Sequence, residues 1–454
     1  MKNKLIRQSA NQPISYQPVI GLEIHTQVKT ASKMFCGCPA DPFGREPNSN
    51  TCPVCLALPG ALPVPNEAAI RKTVQLAQAL GCRIAGFSQF ERKNYFYPDL
   101  PKGFQISQYV RPVGEGGKFE GIPIRRVHLE EDTGKLLHEG GESLVDFNRS
   151  GVPLIEIVTE PEFSDAAKVT KFLKELRTLL VHLETSTADM EKGSLRLEAN
   201  ISLRRSGEKE LPAYKVELKN INSFAFLEKA LRVEIRRQQE LLERGEEVAQ
   251  ETRGYDEKRG VTISQRKKEE AFDYRYFPEP DLPPLTKLAL VERKSAGAGK
   301  IISAKARIIN PLEELRRNLF DSGVPSQYGG VLIQNRELAK LFEALRNEIP
   351  AAEAANILVN KRFGDPLKLG KEKILSLHRA KRSREVLSGE DLASSAEKVL
   401  LDNPTAVRDY ATGKEAALEF LLGQLMKESG GKIVPQEGRE ILKKLIHARA
   451  KASA

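Results

Sequence analysis

The chain has 454 residues, 40% of them hydrophobic, and a formal net charge of +10 at pH 7. This length predicts about three domains, and no apolar run approaches the roughly 18 residues that a membrane helix needs. The N-terminal stretch lacks the apolar segment of a signal peptide and the chain contains five cysteines, which together predict a cytoplasmic protein.

Alternation of apolar and polar residues predicts strands through most of the first 160 residues. In VIGLEIHTQV, residues 19–28, Glu23 and His25 share one strand face, about 7 Å apart along the strand. Similar alternation occurs in GIPIRRVHLEED, PLIEIVTEP, SLRLEANISLRR and YKVELKN. Several strands therefore have a charged face, which predicts an antiparallel sheet whose open face binds a ligand. Exposure of that face to water is the alternative.

Helices are predicted after Asn66, Ser164 and Ser223, each with apolar residues at helical spacing. The proline-rich residues 277–285 end this first unit, and the rest of the chain has mainly helical patterns. We predict a first domain over residues 1–290, a helical domain over 291–405 and a small tail module over 406–454.

The positive charge is concentrated in the last third of the chain. Residues 291–454 contain 29 Lys and Arg against 21 Asp and Glu, whereas residues 1–290 contain 42 against 40. A basic C-terminal surface suits a polyanion such as RNA, but a solvated helical surface explains the charge equally well.

Acidic and histidine residues recur on the predicted strands and indicate a divalent cation. They are Glu23 and His25, then His128, Glu130, Glu131 and Asp132 in HLEED, then Glu156. An unpaired carboxylate within an apolar strand such as LIEIV is costly. Oxygen ligands with one imidazole suit Mg²⁺ or Mn²⁺, whereas ion pairs with Arg126 and Arg149 are the alternative.

Four of the five cysteines lie within 20 residues, as a C-x-C and a C-x₂-C pair. Cys36, Cys38, Cys52 and Cys55 fit a tetrahedral site for structural zinc. The alternative is four ordinary buried thiols, and packing explains the fifth, Cys82.

The sequence has no P-loop motif for phosphate. Two stretches, residues 91–109 and 272–281, interleave basic and aromatic residues. Such a pattern fits a nucleotide or an RNA end, although aromatic residues are also common loop anchors.

Together these motifs resemble a known family. VIGLEIHTQVKT, EPNSNTCPVCLALPGALPV, ERKNYFYPDLPK, HLEEDTGK and DYRYFPEPDLPPL are similar to the B subunits of tRNA-dependent glutamyl/aspartyl amidotransferases. The similarity is dense over residues 16–285, thins over 286–410 and returns at GKEAALEFLLGQLMKESGGKIVPQ.

The resemblance implies an α+β chain: a glutamine-synthetase-like antiparallel-sheet cradle, then an all-α domain and a small α-helical tail that binds tRNA. It also implies a ligase that uses ATP and Mg²⁺ to phosphorylate the side-chain carboxylate of Glu-tRNA(Gln) or Asp-tRNA(Asn). Ammonia from a partner glutaminase (the amidase, or A, chain) then forms the amide, and a small C chain completes the heterotrimer.

The resemblance also implies roles for individual residues. The catalytic metal site would contain Glu23, His25, Glu131 and Glu156, although strand parity places Glu130, not Glu131, on the face of His128. Contacts to ATP or the acceptor end are expected from Lys93, Lys102, Arg196, Lys219 and Arg275. The four cysteines match a zinc site found in part of the family. The competing hypotheses are a non-catalytic tRNA-binding or assembly protein and a carboxylate-metal hydrolase.

Overall fold

A computed structural model describes residues 15–267, 273–286, 288, 310–385 and 389–452. The chain divides into two compact units, residues 1–318 and 319–454. The first contains a large β-sheet and the second is helical, which confirms a mixed fold with an N-terminal sheet and a helical C-terminal region. Residues 291–308, part of the stretch over which the resemblance thins, lie outside the described residues.

Most strands belong to one nine-stranded sheet in the described part of the chain, with the order β14-β13-β12-β11-β1-β10-β7-β6-β2. Its strands are β1 (Tyr16–Gln27), β2 (Arg83–Ile84), β6 (Gly114–Phe119), β7 (Ile122–Glu131), β10 (Pro153–Thr159), β11 (Leu195–Arg205), β12 (Val216–Ile221), β13 (Glu251–Asp256) and β14 (Val261–Lys267). Neighbouring strands among these are antiparallel, except β12 and β13, which are parallel. β1 lies at the centre, between β10 and β11.

The remaining described strands form small sheets. They are β3 (Phe87–Ser88), β4 (Glu91–Asn94), β5 (Phe104–Ser107), β8 (Lys135–Glu139), β9 (Glu142–Asp146), β15 (Phe277–Pro278) and β16 (Leu285–Thr286). β4 pairs with β5 and β15, β3 with β16, and β8 with β9.

Helices of the first unit cover the apolar face of the large sheet. They are α1 (Glu67–Ala79), α2 (Ala166–His182) and α3 (Phe224–Glu243). α1 packs on β6 and β7, and α3 on β11, β12 and β14. Ile20, Leu22 and Ile24 of β1 are fully buried in this core. Because successive strand residues point to opposite faces, the charged residues of the same strands lie on the other side.

Side-chain caps fix where these helices begin. Asn66 and Ser223 accept backbone N–H bonds at the starts of α1 and α3, as the sequence predicted. At α2 the cap is Asp165, which accepts from the N–H groups of Ala167 and Lys168.

The other helices are α4 (Pro311–Asp321), α5 (Ser326–Gln334), α6 (Arg336–Leu345), α7 (Ala351–Val359), α8 (Pro366–Glu385), α9 (Glu390–Asp402), α10 (Pro404–Ala411), α11 (Ala416–Glu428) and α12 (Pro435–Ala452). Leu400 of α9 shares an apolar core with Leu421 and Leu442 of α11 and α12. The division at residues 290/291 and 405/406 stays a prediction. Within the described residues, no helix is long and apolar enough to cross a membrane.

Candidate functional site

Three neighbouring strands bring acidic and imidazole side chains together on the polar face of the sheet. The register places His25 of β1 opposite Glu156 of β10, and Glu156 opposite His128 of β7. The Glu156 carboxylate lies 3.4 Å from His25 Nε2 and 3.1 Å from His128 Nε2. Glu130, two residues beyond His128, lies 3.7 Å from His25 Nε2.

The ligand atoms of His25, Glu130 and Glu156 all lie within 4.8 Å of one another. Two carboxylates and one imidazole form a donor set that suits Mg²⁺ or Mn²⁺. His128 borders this cluster, and its buried Nδ1 has no hydrogen-bond partner in the described structure. The pattern of acidic and histidine residues included His128, whereas the catalytic metal site implied by the resemblance did not, although the alternation placed His128 on the same face as Glu130.

The cluster is strongly coupled electrostatically. Burial alone would lower the pKa of His25, but the hydrogen bond to Glu156 and the charges of Glu156 and Glu130 raise it to about 9. Burial would likewise raise the pKa of Glu156, but the two histidines hold it well below its usual value. Without a metal ion, His25 is therefore an imidazolium between two carboxylates at neutral pH.

Glu23 lies on the same face, two residues before His25, and accepts a hydrogen bond from the Asn200 amide at 2.9 Å. Burial raises its pKa, and the nearby carboxylates of Glu156, Glu198 and Glu217 raise it further. This part of the sheet thus has an excess of negative charge that a cation would relieve.

Glu131, which the resemblance placed in the metal site, does not join this cluster. Its carboxylate pairs with Lys102 at 2.5 Å and accepts a hydrogen bond from the Ile106 N–H. β7 remains a regular strand through Glu131, so consecutive residues point to opposite faces. Glu130 occupies the position near His25, as strand parity predicted.

Two other basic candidates form ion pairs within the sheet. Arg196 makes a bidentate pair with Asp132, at 2.9 and 3.0 Å, and Lys219 lies 3.0 Å from Glu198. Burial alone would raise the pKa of Asp132, but Arg196, with Arg149 beside it, lowers it to about 2.

Aromatic side chains accompany the remaining basic candidates. Lys93 Nζ lies 5.0 Å from the ring centre of Tyr274, and Tyr109 stacks on Tyr276 with ring centres 4.8 Å apart. The guanidinium of Arg126 lies over Tyr109. Burial raises the pKa of Tyr276, and the charges of Glu130 and Glu156 raise it further. The aromatic and basic wall formed by Lys93, Tyr109, Arg126, Tyr274 and Tyr276 therefore lies within electrostatic range of the acidic cluster.

Arg275 lies in the same segment as the tyrosines. Its side chain is exposed, and its backbone has a positive φ of 45°. The Asn94 amide donates a hydrogen bond to its carbonyl, which holds this segment against β4.

The four cysteines also converge, with sulfur atoms within 4.8 Å of one another. Tetrahedral zinc with Zn–S bonds of about 2.3 Å separates its sulfur ligands by about 3.8 Å, and Cys52 and Cys55 lie 3.8 Å apart. A hydrogen bond with Cys36, helped by the Cys52 N–H and Lys33 against the effect of burial, lowers the pKa of Cys55 to about 4. The same shared hydrogen bond raises the pKa of Cys36, so the fit to a zinc ion rests on the convergence of the four sulfur atoms.

Comparison with known families decides where the chain belongs. A family model described as the GatB/GatE catalytic domain matches residues 18–289, and a second, described as a GatB domain, matches residues 314–446. The chain belongs to the GatB family of amidotransferase B subunits. Curated GatB relatives are named as the B subunit of aspartyl/glutamyl-tRNA(Asn/Gln) amidotransferase. Those of Thermotoga maritima and Thermomicrobium roseum are each 42% identical over 95% of this chain and 99% of the relative.

A third GatB relative, from Moorella thermoacetica, is also 42% identical, over 95% of this chain and 100% of its own length. The alignment with the Thermotoga maritima protein spans 486 positions, more than the 454 residues of this chain. The Thermotoga maritima GatB relative thus contains residues that this chain lacks.

Proposed function

We propose that this chain is the ATP-dependent component of a cytoplasmic tRNA-dependent amidotransferase that acts on Glu-tRNA(Gln), Asp-tRNA(Asn) or both. A carboxylate is a poor acceptor for ammonia because its leaving group would be oxide. In the proposed reaction, the substrate carboxylate attacks the γ-phosphate of ATP and releases ADP. Ammonia then attacks the acyl phosphate, and inorganic phosphate leaves as the amide forms.

The observation that carries this proposal is the convergence of His25, Glu130 and Glu156 from three adjacent strands. Phosphoryl transfer depends on positioning and on neutralisation of charge more than on covalent help from the protein. A polar sheet face with fixed carboxylates meets that requirement, and we take it to be the cradle for the nucleotide and the aminoacyl end.

His25, Glu130 and Glu156 would hold Mg²⁺, with Glu23 beside them. Bound Mg²⁺ would supply charge neutralisation for the phosphates of ATP. His25 must release its imidazolium proton before Nε2 can serve as a ligand. Its raised pKa means that proton release accompanies metal binding at neutral pH.

The aromatic and basic wall is suited to the organic part of the substrates. The stacked rings of Tyr109 and Tyr276, with Lys93 and Arg126 over neighbouring rings, offer a π-surface and positive charge. Adenine bases stack on such surfaces. We assign ATP or acceptor-end contacts to Lys93 and Arg275. Lys102, Arg196 and Lys219 already form ion pairs with carboxylates, so each would have to leave its carboxylate to bind a phosphate.

The helical region is suited to tRNA and the cysteine site to zinc. Lys443, Lys444 and His447 are exposed on α12 and line one groove together with Glu437 and Glu440; the two lysines can contact phosphates. Structural zinc on the four cysteines would tie residues 36–55 into one loop. The partners would be the glutaminase chain and the small third chain of the complex.

The test is amide formation by the complex reconstituted with its partner chains. Purified complex, glutamine, ATP and mischarged tRNA should yield ADP and amidated aminoacyl-tRNA, and assays with both tRNAs identify the substrate. Glu156→Gln should abolish amide formation with tRNA binding nearly unchanged. Glu160→Gln, at the end of the same strand in an exposed pair with Arg125, is the matched control.

The competing hypotheses predict different results in the same assay. A non-catalytic tRNA-binding protein would hydrolyse no ATP in the presence of tRNA. A carboxylate-metal hydrolase would turn over phosphate esters without tRNA. Full activity of the Glu156→Gln complex would remove Glu156 from the site.

A further inference from the structure

Lys33 is a completely buried lysine beside the cysteine site, with 0% of its surface exposed. Its ammonium group donates to the Asn50 carbonyl at 2.8 Å, the Phe147 carbonyl at 3.4 Å and the Cys55 sulfur at 3.7 Å. An ammonium has three donors, so these contacts satisfy all of them. These three contacts therefore fix the position of the Lys33 ammonium charge beside the Cys55 sulfur.

A buried ammonium normally has an acidic partner, because an isolated buried charge is very costly. In the described part of the chain, no carboxylate forms an ion pair with Lys33. The buried carboxylate of Glu131 pairs with Lys102. The other two contacts of Lys33 are neutral carbonyls, so the negative charge opposite Lys33 has to come from the cysteine cluster.

We infer that Lys33 is the internal counter-charge of the four-cysteine metal site and acts through its contact with Cys55. Zinc with four thiolates has a net charge of −2, and this charge is partly shielded from water because Cys55 is buried and Cys36, Cys38 and Cys52 are half-buried. The Lys33 ammonium reduces the net charge of the assembly to −1. The inference rests on the zinc part of the proposed function and is independent of the amidation chemistry.

The sequence conceals this role. Lys33 follows Ser32 in TASKMF, where a lysine suggests an exposed loop position, and its contacts come from residues 17, 22 and 114 positions away. Residues that contact metal ligands tune the site as the ligands themselves do, and their loss typically weakens metal affinity 10- to 100-fold. We expect the same of Lys33.

The test is zinc affinity of the full chain, measured by competition with a chromophoric chelator. Three of the four cysteines are half-buried, not buried, so the chelator competes with a site that is partly open to solvent. Lys33→Gln keeps N–H donors and removes the charge, whereas Lys33→Met removes both. Lys29→Gln, at an exposed lysine four residues earlier, is the matched control.

We expect both Lys33 variants to bind zinc 10- to 100-fold more weakly than wild type, with Lys29→Gln unchanged. Wild-type affinity in Lys33→Gln together with weak binding in Lys33→Met would show that hydrogen bonding and not charge matters, and would overturn the inference. Wild-type affinity in both variants would overturn it as well. A wild-type chain that binds no zinc would refute the metal site itself, without bearing on amide formation.

A second pair of variants decides the question if the Lys33 variants fold poorly. Cys55→Ser and Cys38→Ser each remove one thiolate, but Cys55→Ser alone also removes the sulfur that contacts Lys33. The inference predicts a greater loss of zinc affinity in Cys55→Ser. Equal losses in the two variants would contradict it.

Discussion

Asp132 provides a test of how the electrostatics of the polar sheet face contribute to stability. Its carboxylate, 2% exposed, receives two hydrogen bonds from Arg196 and one from Gln27. The fall in its pKa from the ordinary value of 3.8 to about 2 corresponds to about 2.5 kcal/mol at 1.36 kcal/mol per pKa unit. Asp132→Asn also leaves the Arg196 charge without its partner, so we expect a loss of about 2–4 kcal/mol at pH 7.

The pH dependence follows from the direction of the shift. Because the pKa is lower in the folded state than in the unfolded state, the carboxylate stabilises the fold above about pH 4. This contribution is lost as the pH falls toward 2. The stability difference between wild type and Asp132→Asn should therefore shrink by about 1 kcal/mol between pH 7 and pH 3.

This difference in stability can be measured by urea unfolding, monitored by near-ultraviolet circular dichroism, which reports on the part of the chain that contains the sheet. The chain has no tryptophan, and eight of its ten tyrosines precede residue 280, so the signal reports mainly on the sheet. Asp273→Asn, at an exposed aspartate outside the strands and helices, is the control and should change stability by less than about 0.5 kcal/mol. A constant difference between wild type and Asp132→Asn from pH 7 to pH 3 would refute the reasoning.

Three further predictions concern other parts of the sites. Lys102→Met should lower the free energy of unfolding by about 3–5 kcal/mol, because the Glu131 carboxylate is left buried and unpaired. Addition of Glu131→Gln should restore part of that free energy in a double-mutant cycle measured by urea unfolding. Additive losses from the two substitutions would exclude the coupling. Tyr276→Ala should raise the KM for ATP or for aminoacyl-tRNA about 5- to 150-fold, as expected for the loss of one stacking contact. Tyr276→Phe should keep the wild-type KM. Wild-type KM values for both substrates in Tyr276→Ala would remove this ring from the site. Metal analysis should find about one zinc per chain in fresh protein and none in the Cys52→Ser, Cys55→Ser double variant; retained zinc would place the ion elsewhere.

Strand alternation predicted the faces of the sheet because burial of one face fixes the register of every strand. It placed His25 and Glu156 on the polar face, and it favoured Glu130 over Glu131. The family resemblance, by contrast, assigned Glu131 to the metal. The structure places the Glu130 carboxylate, not that of Glu131, beside His25 because β7 has no bulge there to reverse the parity; which of the two binds a metal stays a prediction.

The partners of the charged residues could not be predicted in the same way. Lys102 and Glu131 are 29 positions apart, and Arg196 and Asp132 are 64 apart, so each pair depends on how strands and loops come together. Sequence pattern gives the face of a residue, whereas tertiary packing decides which opposite charge it meets. The same limit hid the buried contacts of Lys33.

The central position of β1 has a consequence for synthesis on the ribosome. Its neighbours β10 and β11 begin at Pro153 and Leu195, so the first of them is translated about 125 residues after β1 ends. At roughly 5–20 residues per second, about 6–25 s pass between the synthesis of β1 and that of β10, the first strand that can pair with it. The apolar side chains of β1 are unprotected by a sheet during this interval. Nascent chains of this protein should therefore bind holdase chaperones through the segment around Ile20 and Leu22 until that partner emerges from the exit tunnel.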